Sequence, residues 1–364
     1  MLDPALQHPA LPFEELSHTP AFQHHVLAYG HCVLPGNEPP WRDTGLLVVA
    51  GQAYSVFARG TLGWSARRPE CHGGPRFHLW ARVAGGGTIV NLREDTDTFI
   101  AERSGRLELG LYMGLWANPQ GDLASGTQAY ARLTGALAVS LLVWRAAPAA
   151  GLAALLAARP DLACLAAERR RLAGAEPPPV GWEYLLAAGH AAFYRSGHTP
   201  EGLPCIDFSG EDDQGILVRA VDFPLTPATR LAWRWRVEAH PSALAEDTPA
   251  THDYLSVAAE FDDGRDLTWI WSSTLAPGHH FACPVQAWAA RETHWVARSG
   301  RADFGQWVSE TRAVHAEVAH AIGPPPARIV RIWLIVVATF QHGRFRGSVA
   351  DIRLYDEHRT LQVL

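Results

Sequence analysis

Between His252 and Ser273 the chain reads HDYLSVAAEFDDGRDLTWIWSS, which sets His252, Asp253 and Glu260 in one stretch with Trp269 and Trp271. A carboxyl beside an indole in a dry cleft holds its proton to higher pH, and an imidazole or second acid of the opposite protonation state completes an acid–base pair. Glu260, His252, Asp253 and His294 are the candidates for catalysis of that kind. The same stretch also suits binding without turnover, because an indole face stacks on the C–H face of a sugar ring while nitrogen and oxygen groups meet its hydroxyls. Tyr254, Ser256, Trp269, Trp271, Arg298 and His342 are the residues this second reading assigns to a ligand. Strand alternation puts Leu255, Val257 and Phe261 on one face and His252, Tyr254, Ser256, Ala258 and Glu260 on the other, with Ser256 and Ala258 leaving space above it. On the next strand Leu267, Trp269, Trp271 and Ser273 share a face, and an indole is expected to stand beside the polar row. The alternative is that both Trp are core and Glu260 pairs with Arg234 or Arg236. His252 and Glu260 lie about 26 Å apart along an ideal strand, so an acid–base pair needs a partner from another strand, such as His294, Arg298 or His342.

Other chemistry finds less support. His24-His25 and His279-His280 are adjacent pairs whose side chains diverge on a strand, and His315 to His320 is a step that leaves one helix face for another. Glu292 and His294 in RETHWVAR share a strand face and are compatible with two metal ligands, but a third must come from elsewhere, so no metal and no cofactor are assigned. There is no G-x-S-x-G elbow, and Gly85 to Gly87 reads as a hairpin turn because no helix pattern follows it. All 31 Lys-plus-Arg positions are Arg. Schiff-base chemistry, a pyridoxal phosphate anchor and a lysine-bearing phosphate loop are thereby excluded. A net charge of -6, with no basic run longer than Arg169-Arg170-Arg171, gives no footprint for nucleic acid. The five Cys are far apart without a C-x-x-C and suit reduced thiols.

These residues need strands to hold them. Short apolar runs broken by Gly and Pro fill residues 26 to 145 and argue for a β-sandwich. From Pro148 to Gly174 the leucines recur at helical spacing, and Pro160 divides them into two short helices. The segment AEPPPVG is stiff and extended, placing a boundary between about Ala173 and Gly181. In RLAWRWRVEAH, Leu231, Trp233, Trp235 and Val237 fall on one face and Arg234, Arg236 and Glu238 on the other. RIVRIWLIVVATF is apolar on both faces and reads as a central strand. QWVSETRAVHAEVAHAIGPPP reads as one helix, with Trp307, Thr311, Val314, Val318 and Ile322 as its stripe and Gly323 as its stop. The expected fold is mainly β, with two β-sandwich domains of jelly-roll or galactose-binding-like type joined by a short helical linker. Its parts are an N-terminal arm (1–25), a sandwich (26–145), a helical and Pro-rich linker (146–180) and a jelly roll with one lateral helix (181–364). The start MLDPALQHPALPFEELSHTP lacks a basic and an apolar region, and no apolar run is long enough to span a bilayer. A cytoplasmic protein with no membrane partner is the expectation.

From Leu231 to Glu357 the order LAWRWRV, HDYLSVAAEFDD, LTWIWSS, GQWVSETRAVHAEVAHAIG, ARIVRIWLIVVATF and VADIRLYDE resembles the bacterial domain-of-unknown-function family 3047, which implies a jelly roll and no particular activity. The resemblance also implies paired acids at the head of the HDYLSV strand, where His252 takes one place, and acids or Asn near VATFQHG, where Gln341 and His342 stand. From about Leu46 to Trp144 the order VVAGQAYSVFARGTLGW, HLWARVAGGG, FIAERSGRLELGLYMGLW and GALAVSLLVW resembles the bacterial galactophilic lectin group, small β-sandwiches that bind galactose through calcium. That group places a carboxylate just after the LELGLYMG strand. Here LWANPQGDL offers Asn118 and Asp122, short of the six to eight oxygens calcium takes, so no calcium is expected. The functional expectation is a module that binds a carbohydrate or similar neutral small ligand through an aromatic-lined groove on the C-terminal jelly roll, with a lectin-like N-terminal module beside it. The alternative is a cofactor-independent lyase, cyclase, hydratase or glycosidase using the acid–base residues of that groove. A third reading makes the Trp side chains anchors of an assembly interface. The sequence does not set the oligomeric state.

Overall fold

The structure, a computed structural model, describes residues 10–38, 40–65, 71–113, 116–174, 176–186, 188–248, 254–285 and 288–364. The chain divides between Glu176 and Pro177 into two compact units.

In the first unit the strand Thr134–Trp144 is buried along nearly its whole length. That burial on both faces explains why GALAVSLLVW is a continuous apolar run rather than an alternating one. It pairs antiparallel with Val26–Pro35 on one side and Ala53–Gly63 on the other. The sheet continues through His72–Gly73, and Thr96–Ile100 also pairs with Ala53–Gly63. A second sheet runs Trp41–Val48, Gly105–Leu111, Leu79–Val83, Val90–Asn91. Leu34, Val56, Leu79, Leu109, Leu137 and Leu141 belong to one buried cluster. A separate cluster joins Phe57, Leu142 and Trp144 to Leu152, Leu155 and Leu165 of the helices Pro148–Ala158 and Ala163–Ala173, and to Leu11, Phe13 and Phe22 near the N-terminus. The first helix ends just before Pro160, as the missing amide donor requires. The helical segment between the sandwiches is therefore packed against the first of them. Buried charge fixes it there: Glu168 accepts from Arg171 at 2.6 and 2.8 Å, from Thr96 at 2.8 Å and from Thr98 at 2.5 Å, and Arg171 also meets Asp97 at 2.8 Å.

The second unit is also a two-sheet sandwich. One sheet has seven strands in the order Glu183–Tyr184, Gln214–Pro224, Arg328–Val337, Leu255–Phe261, Asp266–Ser272, Glu292–Ser299, His280–Ala282. Within it Asp266–Ser272 and Glu292–Ser299 run parallel. The other sheet runs Tyr194–His198, Pro204–Glu211, Arg344–Tyr355, Arg230–Ala239, Val308–Arg312, with Thr360–Gln362 added on Arg344–Tyr355. Trp233, Trp235, Val257, Phe261, Trp269, Trp271, Ile332 and Leu334 share the core between them. The outer face of the seven-stranded sheet carries a second, smaller buried cluster of Val218, Ala258, Trp333, Ile335 and Val337, against which Leu185, Ile216, Trp288 and Phe340 pack.

One expected element is corrected. Residues 307–322 do not form a single helix: Val308–Arg312 is a strand paired with Arg230–Ala239, and the helix is only Val314–Ala321. The Arg230–Ala239 strand would otherwise leave a row of backbone groups unpaired at its edge, and pairing outweighs the helical spacing of Trp307, Thr311 and Val314. Gly323, at φ 118°, ends the helix in a conformation that suits only glycine. Trp307 is thereby placed beside a sheet and not on a helix stripe.

Candidate functional site

Register decides where the aromatic residues of the opening stretch go. Val257 pairs with Trp269 and Ser256 with Ile270, so the indoles of Trp269 and Trp271 lie on the face of Val257 and Phe261. They enter the core against Trp233 at 5.8 Å and Trp235 at 5.3 Å, with no exposed surface. Their ring nitrogens donate to Glu317 Oε2 at 2.6 Å and to the Gly300 carbonyl at 2.9 Å. Tyr254 is also fully buried, edge-on to His240 at 4.8 Å. The expected groove lined by Tyr254, Trp269 and Trp271 is thus packed protein interior. An indole face already covered by other side chains has none left for a ligand. The other expected contacts are dispersed. Ser256 lies on the opposite face, buried beside Ile335 and Ile270. Arg298 closes the sandwich edge with Glu310 at 2.9 Å and Asp303 at 2.7 Å. His342 sits in a turn with φ 50° and meets Asp212 at 2.7 Å. His252 and Asp253 lie outside the described residues.

The polar row does face away from this core, yet it is not open. Glu260 is 3% exposed and accepts from Arg331 at 2.7 Å and from the Trp333 ring nitrogen at 3.0 Å, one on each oxygen. Its partner is therefore Arg331, neither Arg234 nor Arg236, and the carboxylate braces two neighbouring strands. Across the sheet Glu260 pairs with Asp266, which pairs with Glu292, while Ala258 pairs with Thr268 and Thr268 with His294. Glu260 and His294 consequently share a face with the Asp266–Ser272 strand between them, and the catalytic pairing of the two is not formed. Thr268 donates to Asp266 Oδ1 at 3.1 Å. His294 stacks on Phe281 at 5.0 Å, with Nε2 3.7 Å from Glu292 Oε1. Cys283 joins them: its amide donates to the Glu292 carbonyl at 2.9 Å. Ligating atoms of Cys283, Glu292 and His294 all lie within 4.8 Å of one another, and all three residues are buried. Among the described residues this is where a metal ion finds three donors. The sequence singled out Glu292 and His294 but not Cys283.

The outer face of the six-stranded sheet is different in kind. Arg234, Arg236 and Glu238 alternate outward from Arg230–Ala239, as their spacing predicts, and are partly exposed. Trp307 stands beside them, half-buried, with the Arg234 and Arg236 guanidinium carbons 5.4 and 5.7 Å from its ring centre. Arg236 pairs with Glu238 at 2.5 Å, Glu238 with Arg346 at 2.8 Å, and Arg234 with Glu201 at 3.6 Å. On the neighbouring strands Ser348 donates to Asp207 Oδ1 at 2.5 Å, and Ser348 is opposite Arg236. The Cys205 thiol approaches the same oxygen at 3.6 Å, and burial, reinforced by the Asp207 charge, pushes it up to about 12. It stays a thiol and is no nucleophile. A hydrogen bond from Thr199 and the nearby Arg234 hold Glu201 below the usual carboxylate range. The face therefore presents an aromatic plane, two guanidinium groups and carboxyl groups together. Alternation along Arg230–Ala239 marks the arginines in the sequence, whereas Trp307 falls on the stripe of the expected helix and carries no such mark.

Residues 190–353 match the model of a family described as protein of unknown function (DUF3047). No curated protein matches the chain. Solved structures similar to it include a PllA-like lectin, the EclA N-terminal domain, at 14% identity over 33% of this chain and 98% of that one, with a TM-score of 0.25. The xyloglucanase domain of NopAA from Sinorhizobium fredii, in complex with cellobiose, is 8% identical over 49% of this chain and all of that one, with a TM-score of 0.28. SGBP-B, from a xyloglucan utilization locus of Bacteroides uniformis, is 9% identical over 87% of this chain and 73% of that one, with a TM-score of 0.28. The second half of the chain thus resembles the family of unknown function. Among the described residues no helix is long and apolar enough to cross a membrane.

Proposed function

We propose that the second unit binds an acidic saccharide on the outer face of its six-stranded sheet. The reading rests on one observation, the half-buried Trp307 indole with Arg234 and Arg236 beside its ring. An indole plane takes the C–H face of a sugar ring, and a guanidinium fork takes a carboxylate through two parallel hydrogen bonds. Glu238 and Asp207 supply acceptors for hydroxyl groups at the flanks. The ligand class stays carbohydrate, as the sequence reading had it, but the arginine pair favours a uronate over a neutral sugar. Of the groups assigned to turnover, Glu260 is held on both oxygens and His294 is fully buried, while His252 and Asp253 lie outside the described residues.

Calorimetric titration of the full chain with oligogalacturonate, oligoalginate and neutral cello- and xylo-oligosaccharides tests the reading. Uronate oligomers should bind saturably and neutral ones at least tenfold more weakly. Trp307→Ala should weaken uronate binding by about 1–2 kcal/mol, a factor of about 5 to 30. Saturable binding that ignores both Trp307→Ala and Arg236→Ala would place the ligand elsewhere, and no binding to any uronate would end the proposal.

A further inference from the structure

Beneath the outer surface of the seven-stranded sheet, a thiol, a carboxyl and an imidazole converge where the fold could have used apolar side chains. Cys283, Glu292 and His294 are 2%, 4% and 0% exposed. Phe281 stacks on His294, and on the adjacent strand Thr268 and Asp266 are the register partners of His294 and Glu292. The three donor atoms lie within reach of one ion, and a cation shared by all three offsets their burial together. The backbone supplies the convergence. Glu292 and His294 are two apart on one strand and so project from the same face. Phe281 pairs with His294, which carries Cys283, two residues on, to a position opposite Glu292. On the other side Asp266 is the register partner of Glu292 and is also fully buried, one strand spacing away.

We infer that Cys283, Glu292 and His294 bind a zinc ion. One sulfur, one nitrogen and carboxylate oxygen form a set that suits a borderline cation in tetrahedral geometry and not calcium or magnesium, which take oxygen alone. The burial of all three donors shields the bound ion from bulk water. Metal uptake releases the thiol proton to solvent and ties the edge strand His280–Ala282, through Glu292–Ser299, to the centre of the sheet. The inference does not depend on the saccharide reading, since the two sites occupy opposite sheets.

The test uses the full chain, free of any histidine tag and purified without chelator. Elemental analysis should find one zinc per chain. After removal of metal, cobalt(II) should add one equivalent with a thiolate-to-cobalt charge-transfer band and the intense visible bands of a tetrahedral ion, and zinc should displace it. Cys283→Ala and His294→Gln should abolish the stoichiometric uptake, and Cys283→Ala the charge-transfer band, while Cys205→Ala, which removes a buried thiol from the other sheet, should keep both. Zinc should raise the thermal midpoint of the metal-free parent chain and leave that of Cys283→Ala unmoved, a comparison that works even if the variant is less stable. Substoichiometric metal in the parent chain with no cobalt–thiolate band after titration, or a band that persists in Cys283→Ala, would overturn the assignment.

Discussion

His78 ends the short helix Pro75–His78 and is completely buried, edge-on to Phe77 at 4.6 Å and to Trp64 at 5.6 Å. Its Nδ1 lies 2.9 Å from the Tyr112 carbonyl, so the neutral ring donates from that nitrogen. Among the described residues Nε2 has no hydrogen-bond partner. A second proton there would put a charge among aromatic rings with no described residue placed to accept its N–H. Burial accordingly lowers the pKa from 6.5 to about 4, against the opposing pull of the Tyr112 carbonyl. The unfolded chain takes up this proton at a higher pH than the folded chain does. Stability from this group is therefore fully present above about pH 6.5, declines as the pH falls toward about 4, and is constant below that. Between pH 7 and pH 5 the loss from this one residue comes to about 2 kcal/mol. His78→Asn keeps an amide donor toward Tyr112 and does not titrate. Urea unfolding of both proteins at the two pH values, read on the transition of the first unit, isolates the effect from the cost of the smaller side chain. The parent should lose about 2 kcal/mol more than the variant over that interval. Equal losses in the two proteins would show that His78 does not fold as a neutral ring, and the burial argument would fail.

Two further expectations concern stability. Glu168→Ala strips Arg171, Thr96 and Thr98 of their shared acceptor and should destabilise the first unit by about 3–5 kcal/mol, because it leaves a buried guanidinium with only Asp97; thermal unfolding would register the change, and a loss under 1 kcal/mol would contradict it. Trp269→Ala should cost about 3–5 kcal/mol in denaturant unfolding of the second unit, where a ligand-facing indole would leave stability nearly unchanged.

What the sequence shows most directly is parity. The two faces of Arg230–Ala239, the shared face of Trp269 and Trp271, and the shared face of Glu292 and His294 all follow from a period of two, and all stand in the structure. Parity does not say which face is covered, and that is where the aromatic groove went wrong. A usable signal was nonetheless present in FDDGRD. Gly264 at φ 82° and the Phe261-to-Arg265 backbone hydrogen bond make a short turn, and a turn of that length sets Glu260 opposite Asp266 and therefore Trp269 opposite Val257. Counting outward from the turn puts the indoles with the aliphatic face before any coordinates are seen. Trp307 offers no such count, because VSETR fits an edge strand and a helix about equally and only the open side of Arg230–Ala239 decides between them. Cys283 is harder still. It is separated from Glu292 by a loop too long to fix register from turn chemistry, so a pair of ligands could be read and the third could not. Short turns carry register into the sequence, whereas edges and long loops leave it to tertiary pairing, and the side chains that depend on the latter are those on which both functional proposals rest.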